Sequence, residues 1–326
     1  MATAVPNPQL AQIAMCVADI PRTLRFYAEV FGFASSGGKS IWGKRLAQIQ
    51  GLGDDAQCLI WWMLGRQDFV QLEIFNHTLP VQKPLNADWR PSDLGYVRWG
   101  LAVPDFDAMR GRLEAHGVQP IAPAVTHAGL RRIAFRDPDG VCVEVFEDGA
   151  GVPGGVRATH HPFAPSIIYV AVSVPDMARS KRFYFETLGL TEEPADTLHT
   201  PEMEALWGLP GAVREVAVGR AGETFFELVQ YTNPAPRPKP PGYHLADQGF
   251  LNVAFAFRER PLLDDLLERV LAAGYTANTP VVPGPGFAST YINDDQGFSA
   301  EIFGCPPEFD PYLGFTPDPG FGPPRA

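Results

Sequence analysis

Cysteine is scarce in this chain: four residues in 326, Cys16, Cys58, Cys142 and Cys305, with no Cys-x-x-Cys pair among them. That argues against a disulfide framework and fits a reducing compartment. Positive charge is also short, with 26 Lys and Arg against 37 Asp and Glu and a net charge of −11. Such a balance disfavours nucleic acid and anionic membrane as partners. No apolar run approaches the roughly 18 residues needed to span a bilayer, and the first residues, Met1-Ala-Thr-Ala-Val-Pro-Asn-Pro8, carry neither a basic nor an apolar leader region. A cytoplasmic protein is expected. Gly37-Gly38-Lys39 lacks the rest of a phosphate-binding loop and reads as a lid or simple loop, so no nucleotide or flavin is expected.

What the chain does contain is one stretch written four times. Its clearest copy runs from Gln12 to Phe33. Ile13, Met15 and Val17 alternate with Gln12, Ala14 and Cys16 as in a strand, Asp19 can cap a helix, and Leu24, Tyr27 and Phe31 recur at helical spacing until Gly32. The other copies open at Arg98, Tyr169 and Asn252. Each is followed by an alternating strand with one inward glutamate: Glu73, Glu144, Glu227 and Glu301. From Glu73 to Arg98, from Glu144 to Tyr169 and from Glu227 to Asn252 the separation is 25 positions every time, whereas the opening residues precede their own glutamates by 61, 46, 58 and 49. Long and short units alternate, so the chain reads as a doubled pair.

Each unit reads as strand, helix and about three antiparallel strands, which predicts an α+β protein whose curved sheets have helices on one face and a ligand on the other. In the first unit the later strands are expected near Arg45–Ile49, Gln57–Met63 and Phe69–Phe75. Residues 8–150 and 164–304 are expected as two domains, with a Gly- and Pro-rich linker at 151–163 containing His160-His161, and 305–326 as a Pro- and Gly-rich strap.

These landmarks resemble the vicinal oxygen chelate superfamily, which includes glyoxalase I, bleomycin-resistance proteins and extradiol dioxygenases. The resemblance rests on the strand-to-Asp turns, on Arg25-Phe26-Tyr27 and Arg182-Phe183-Tyr184, and on Asp137-Pro-Asp-Gly140 before Glu144, and it spans about residues 10 to 303. It implies four βαβββ modules, each offering two metal-ligand positions: Gln12 and Glu73, Arg98 and Glu144, Tyr169 and Glu227, Asn252 and Glu301. No opening position is histidine, which counts against the iron site of an extradiol dioxygenase.

Which modules share a cup is open on the sequence; the short connections favour neighbours. Neighbour pairing would put Arg98 between the carboxylates of the first domain and leave Glu227 and Glu301 facing each other in the second, as an acid/base pair assisted by Tyr169 and Asn252. Pairing of the first module with the fourth would instead collect Gln12, Glu73, Asn252 and Glu301, an oxygen-donor set suited to a divalent ion, with Mg, Mn, Ca, Ni and Zn as candidates and Mg, Mn or Ca preferred. The other cup would then hold Arg98, Glu144, Tyr169 and Glu227 and no metal.

The expected function is a glyoxalase-like lyase or isomerase acting on a small carbonyl-bearing or aromatic substrate, as a monomer or homodimer; the alternative is metal-free binding of bleomycin-resistance type. Arg98, Glu144 and His244 are candidate substrate contacts, the first through an anionic group. His77 and His127, like His244, could reach a pocket mouth from loops or strand ends. Cys16 and Cys142 share the faces of Gln12 and Glu144, where buried, inert thiols are expected.

Overall fold

The computed structural model describes residues 6–149, 164–281 and 286–318, so the expected linker with His160 and His161 and the last residues of the strap lie outside the described residues. The first module is β1 (Gln9–Cys16), α1 (Ile20–Phe31), β2 (Ala34–Trp42), α2 (Lys44–Gln50), β3 (Gln57–Leu64) and β4 (Gln71–Leu79). The second is β5 (Gly95–Val103), α3 (Phe106–Ala115), β6 (Val125–His127), β7 (Leu130–Arg136) and β8 (Cys142–Glu147). The third has β9 (Ser166–Ser173), α4 (Met177–Lys181) running into a π-helical turn (Arg182–Thr187), β10 (Thr191–Glu193), a 3-10 segment (Pro201–Trp207), β11 (Val213–Ala221) and β12 (Thr224–Asn233). The fourth has β13 (Gly249–Phe257), α5 (Arg260–Ala272), β14 (Thr276–Ala277), β15 (Ala288–Asn293) and β16 (Ser299–Gly304).

The strand-to-helix turns form as their residues dictate. Asp19, Asp105 and Asp176 each accept a backbone N–H from the residue three positions on, which satisfies one of the orphan donors at a helix start. Two sequence expectations are corrected. Arg45–Ile49 is helical, because Leu46, Ala47 and Gln50 are buried at helical spacing; and Gly37-Gly38-Lys39 is not a loop but part of β2, paired with β3.

The strands form two eight-stranded sheets, ordered β14-β15-β16-β13-β1-β4-β3-β2 and β10-β11-β12-β9-β5-β8-β7-β6. The first module therefore shares a sheet with the fourth, and the second with the third. The favoured pairing of neighbours is overturned, and each half of the chain, 8–150 and 164–304, contributes to both sheets. What neighbours share is a back-to-back contact. Thr23 and Tyr27 of α1 donate hydroxyl hydrogen bonds to Asp139 (2.6 Å) and Asp137 (2.7 Å) in the turn before β8, so that turn is fixed to the helical side of the first module rather than to its sheet edge. One apolar core runs through this contact, from Ile13, Met15 and Tyr27 to Trp99, Phe135, Tyr184 and Phe255. The opposite faces, bearing Ala14, Cys16 and Trp62 in one sheet and Ala171, Tyr169 and Phe225 in the other, pack in separate clusters. No helix among the described residues is long and apolar enough to cross a membrane.

The sheets impose one tight steric condition. Gly100 is paired with Tyr169 across β5 and β9, and a Cβ there would lie 2.2 Å from the tyrosine ring. Gly100→Ala is expected to destabilise the protein by about 1–3 kcal/mol through overpacking. Gly111→Ala, in α3 with open space around it, should instead be neutral or stabilise by up to about 1 kcal/mol. Urea unfolding of both variants checks the contrast.

Candidate active site

At the centre of each sheet two small residues are flanked by four polar ones. In the first sheet Ala14 pairs with Glu73 on one side and Asn252 on the other, while Ala254 pairs with Gln12 and Glu301. Strand alternation turns all four polar side chains to the concave face. The second sheet repeats the plan with Gly100 between Glu144 and Tyr169, and Ala171 between Glu227 and Arg98. All four glutamates are buried, so their inward orientation stands. The structure separates Glu227 and Tyr169 from Glu301 and Asn252, which were expected together, and brings Gln12, Glu73, Asn252 and Glu301 into one cup.

That cup opens on a cavity of about 320 Å³. Its floor carries Gln12, Glu73 and Glu301, and its walls are largely apolar, with Ile60, Trp62, Phe75 and Phe303 from the sheet and Leu46 from α2. Lys39 and Arg45 are exposed at its rim. The strap, described as far as residue 318, supplies Leu313 and Phe315. It is held there by Gln71, whose amide donates to the Leu313 carbonyl at 3.0 Å, and by the stacking of Phe315 on Phe303. Glu73 accepts hydrogen bonds from the Trp62 indole (2.9 Å) and the Gln12 amide (3.4 Å) at one oxygen, leaving Oε2 buried without a partner. Neither amide atom of Asn252 makes a hydrogen bond, although Tyr291 lies beside it.

Burial without a counter-ion raises both carboxylates. Glu73 is pushed up to about 7 by burial, against the opposing pull of Trp62 and Lys39; Glu301 is pushed up to about 8 by burial and by the charge on Glu73. The two titrate as a pair. The orphaned Glu73 oxygen and Asn252 amide, beside Glu301 and Gln12, also form an oxygen-donor set, which fits a hard divalent ion such as Mg, Mn or Ca better than Zn or Ni. Among the described residues no group of three or more His, Cys, Asp and Glu side chains has metal-binding geometry, so carboxamides would have to complete the shell.

The other cup is filled. His199, from the stretch before the 3-10 segment, lies between Glu144 (2.8 Å) and Glu227 (2.9 Å), one carboxylate on each ring nitrogen. Both contacts are hydrogen bonds only when the ring is doubly protonated, and the two carboxylates do raise its pKa against burial. Tyr169 donates to Glu144 at 2.6 Å. Arg98 pairs with Glu227 and Tyr231 and lies 3.9 Å from the Trp207 ring centroid. Arg132 reaches within 3.7 Å of Glu144. Arg98, Glu144, Tyr169, His199 and Glu227 are all fully buried. Arg98 and Glu144, expected at a substrate, are therefore held in internal ion pairs, Arg98 with Glu227 and Glu144 with His199.

The remaining candidates also settle away from the cavity. His77 is buried in β4 rather than at a pocket mouth, hydrogen-bonded to Gln50 at 2.8 Å and pushed down to about 4 by burial. His244 lies 3.2 Å from Asp247, outside the cavity lining. His127, on β6 of the second sheet, is likewise absent from that lining. Burial pushes the thiols of Cys16 and Cys142 up, so both are inert. Sequence reading missed His199 and gave Lys39 and Arg45 no part in a site. All three lie where the repeat offers no matching position, so no periodic signal marked them.

His199→Ala would leave two buried carboxylates facing each other, a loss of about 3–5 kcal/mol for a broken buried ion pair. The raised His199 value makes its contribution complete below its ordinary 6.5 and fading as pH rises through the folded value. The Glu227 value, lowered to about 2 by His199 and Arg98 against burial, makes that contribution complete above 4.5 and fading as pH falls toward 2. Urea unfolding of wild type and variant should therefore differ most between pH 4.5 and 6.5. An equal difference at every pH would contradict a charged His199.

Comparison with known proteins agrees with this architecture. Residues 166–302 match the model of the Glyoxalase/Bleomycin resistance protein/Dioxygenase superfamily. No curated protein matches the chain in sequence. Among solved structures, a Bacillus subtilis protein provisionally named a dioxygenase superposes with a TM-score of 0.63 at 16% identity, over 94% of this chain and 88% of its own. Glyoxalase I from Zea mays does so with a TM-score of 0.57 at 16% identity, over 94% of each chain. At such identities these two likenesses concern the fold. The family match thus covers the third and fourth modules, and the two solved structures share the fold of nearly the whole chain, with its four modules and paired sheets.

Proposed function

We propose that the open cup is the active site of a lyase or isomerase that moves a proton beside the carbonyl group of a small, mostly apolar molecule. The observation that carries this reading is the pair Glu73 and Glu301, two buried carboxylates with values raised to about 7 and about 8 on the floor of an apolar cavity. Near neutral pH such a pair holds one proton between two groups, the arrangement acid/base catalysis requires. Glu73, whose ionised form the Trp62 N–H favours, acts as the base on the carbon next to the carbonyl. Glu301, the harder to ionise, returns a proton. The unpartnered Asn252 amide donates toward the oxygen on which charge develops. The aromatic walls exclude water, and Lys39 and Arg45 attract an anionic group on the substrate. When a divalent ion is bound, Gln12, Glu73, Asn252 and Glu301 hold it and it supplies Lewis acidity at the carbonyl oxygen.

Simple sequestration of an apolar ligand is the second reading, favoured by the apolar walls of the same cavity. Deuterium exchange from D2O into a panel of α-hydroxy and α-keto carbonyl compounds separates the two. Wild type should exchange with a bell-shaped kcat/KM profile highest between about pH 7 and 8, and Glu301→Gln should lose about 10²–10⁴-fold. Because the raised Glu301 value makes wild type lose stability as pH climbs from 4.5 through about 8, the variant should also be the more stable protein above pH 8. Full turnover in Glu301→Gln sinks the mechanism. Ligand-induced stabilisation without exchange, unchanged in Glu73→Gln and Glu301→Gln, would establish sequestration.

A further inference from the structure

A second cavity, of about 340 Å³, lies between the two sheets and away from both cups. Its walls come from the start of β5 (Tyr96), from the segment joining β12 to β13 (Lys239, Tyr243, Leu245), from β13 (Phe250) and from the turn before β16 (Phe298). Tyr96 and Phe250, equivalent residues of two modules, lie with ring centroids 5.7 Å apart. Lys239 is the cation here. Its ammonium sits between two rings, 4.6 Å from the centroids of both Trp89 and Tyr243, and it is only partly exposed. Among the described residues it has no hydrogen-bond or ion-pair partner.

The neighbouring charges are engaged elsewhere. Asp93 is bound by Arg90 and Arg237; Asp247 accepts from the Lys83 backbone N–H and lies beside His244. Arg136, which lines an adjoining cleft with Lys239 and Trp89, spends its guanidinium on the carbonyls of Gly140 and Trp89. Tyr243, raised by burial, stays a neutral phenol. A desolvated ammonium without an anion is costly, and two aromatic faces recover only part of that cost. The unmet demand is for one negative charge at the edge of an apolar cavity.

We propose that this inter-sheet cavity is a second binding site, for a small aromatic carboxylate whose charged end pairs with the Lys239 ammonium and whose ring enters between Tyr96, Phe250 and Phe298. The site is independent of the chemistry in the open cup. Burial, outweighing the pull of Asp247 and Asp93, brings Lys239 down to about 8, so a carboxylate binds tightly while the lysine is protonated and weakens as pH rises past that value.

Isothermal calorimetry of 2-naphthoate with the full chain tests this. Wild type should bind one equivalent at pH 7 and at least ten-fold more weakly at pH 9.5. Lys239→Met should lose at least ten-fold at pH 7, while Lys239→Arg, permanently charged, should bind equally at both pH values. Lys39→Met and Glu301→Gln, which alter only the open cup, should leave binding unchanged. Binding retained in Lys239→Met, or lost in Lys39→Met instead, would overturn the assignment, the latter by placing the carboxylate in the open cup. Neither result depends on whether the open cup catalyses proton transfer.

Discussion

The antiparallel pairing of β1 with β13, and of β5 with β9, is the contact on which both cups depend. It joins modules far apart in the chain and sets which pairs of glutamates meet. The register must hold to the residue, because a slip of one position would turn each glutamate into the apolar core. Both joints carry irregularities at matching places, between Leu10 and Gln12 and between Ala14 and Met15 in one, between Tyr96 and Arg98 and between Gly100 and Leu101 in the other. Such bulges bend a strand and re-aim its side chains. Here they bracket the opening residues and the small residues beside them, where the sheet must curve to make a cup.

From the same ring of positions the two cups reach opposite electrostatic states. In the filled cup two carboxylates meet Arg98, His199 and, more distantly, Arg132, and the 3-10 segment between β10 and β11 packs Met203, Leu206 and Trp207 against the same side of the sheet. In the open cup the matching connection between β2 and β3 is α2, which stands at the rim with Leu46 and leaves the floor uncovered. Two carboxylates remain there without a buried cation. The difference is in where one connection lies, and it leaves, in place of a salt-bridge network, a pair of buried carboxyl groups with values raised toward neutrality.

Much of this was legible in the sequence, because the signals were periodic. Strand alternation, the capping aspartates and the recurring glutamate gave four modules and eight inward positions, and those eight form the two rings. The partner of each module was not legible, since a connection of fixed length permits a neighbour in the same sheet or one behind it. Asp137 and Asp139 decide the matter through α1, a contact between a turn and a helix face that no periodicity marks. The same holds for His199. It occurs once, outside the repeat, and only the fold reveals that it stands between Glu144 and Glu227 in the cup that the alternative pairing had assigned to Arg98, Glu144, Tyr169 and Glu227.

The uncompensated carboxylates of the open cup oppose folding above neutral pH, so stability must come from elsewhere. The single core behind both sheets, from Ile13 to Ile302, provides it, and because each half of the chain contributes strands to both sheets the filled cup braces the open one. Arg98 cannot relieve the open pair, since it belongs to the other ring, and no module contributes to both. Separate rings on a shared core allow one ring to be neutralised by buried cations while the other keeps two uncompensated carboxyl groups in a low-dielectric floor. A single-cup protein of this fold would have to place both demands on the same four side chains.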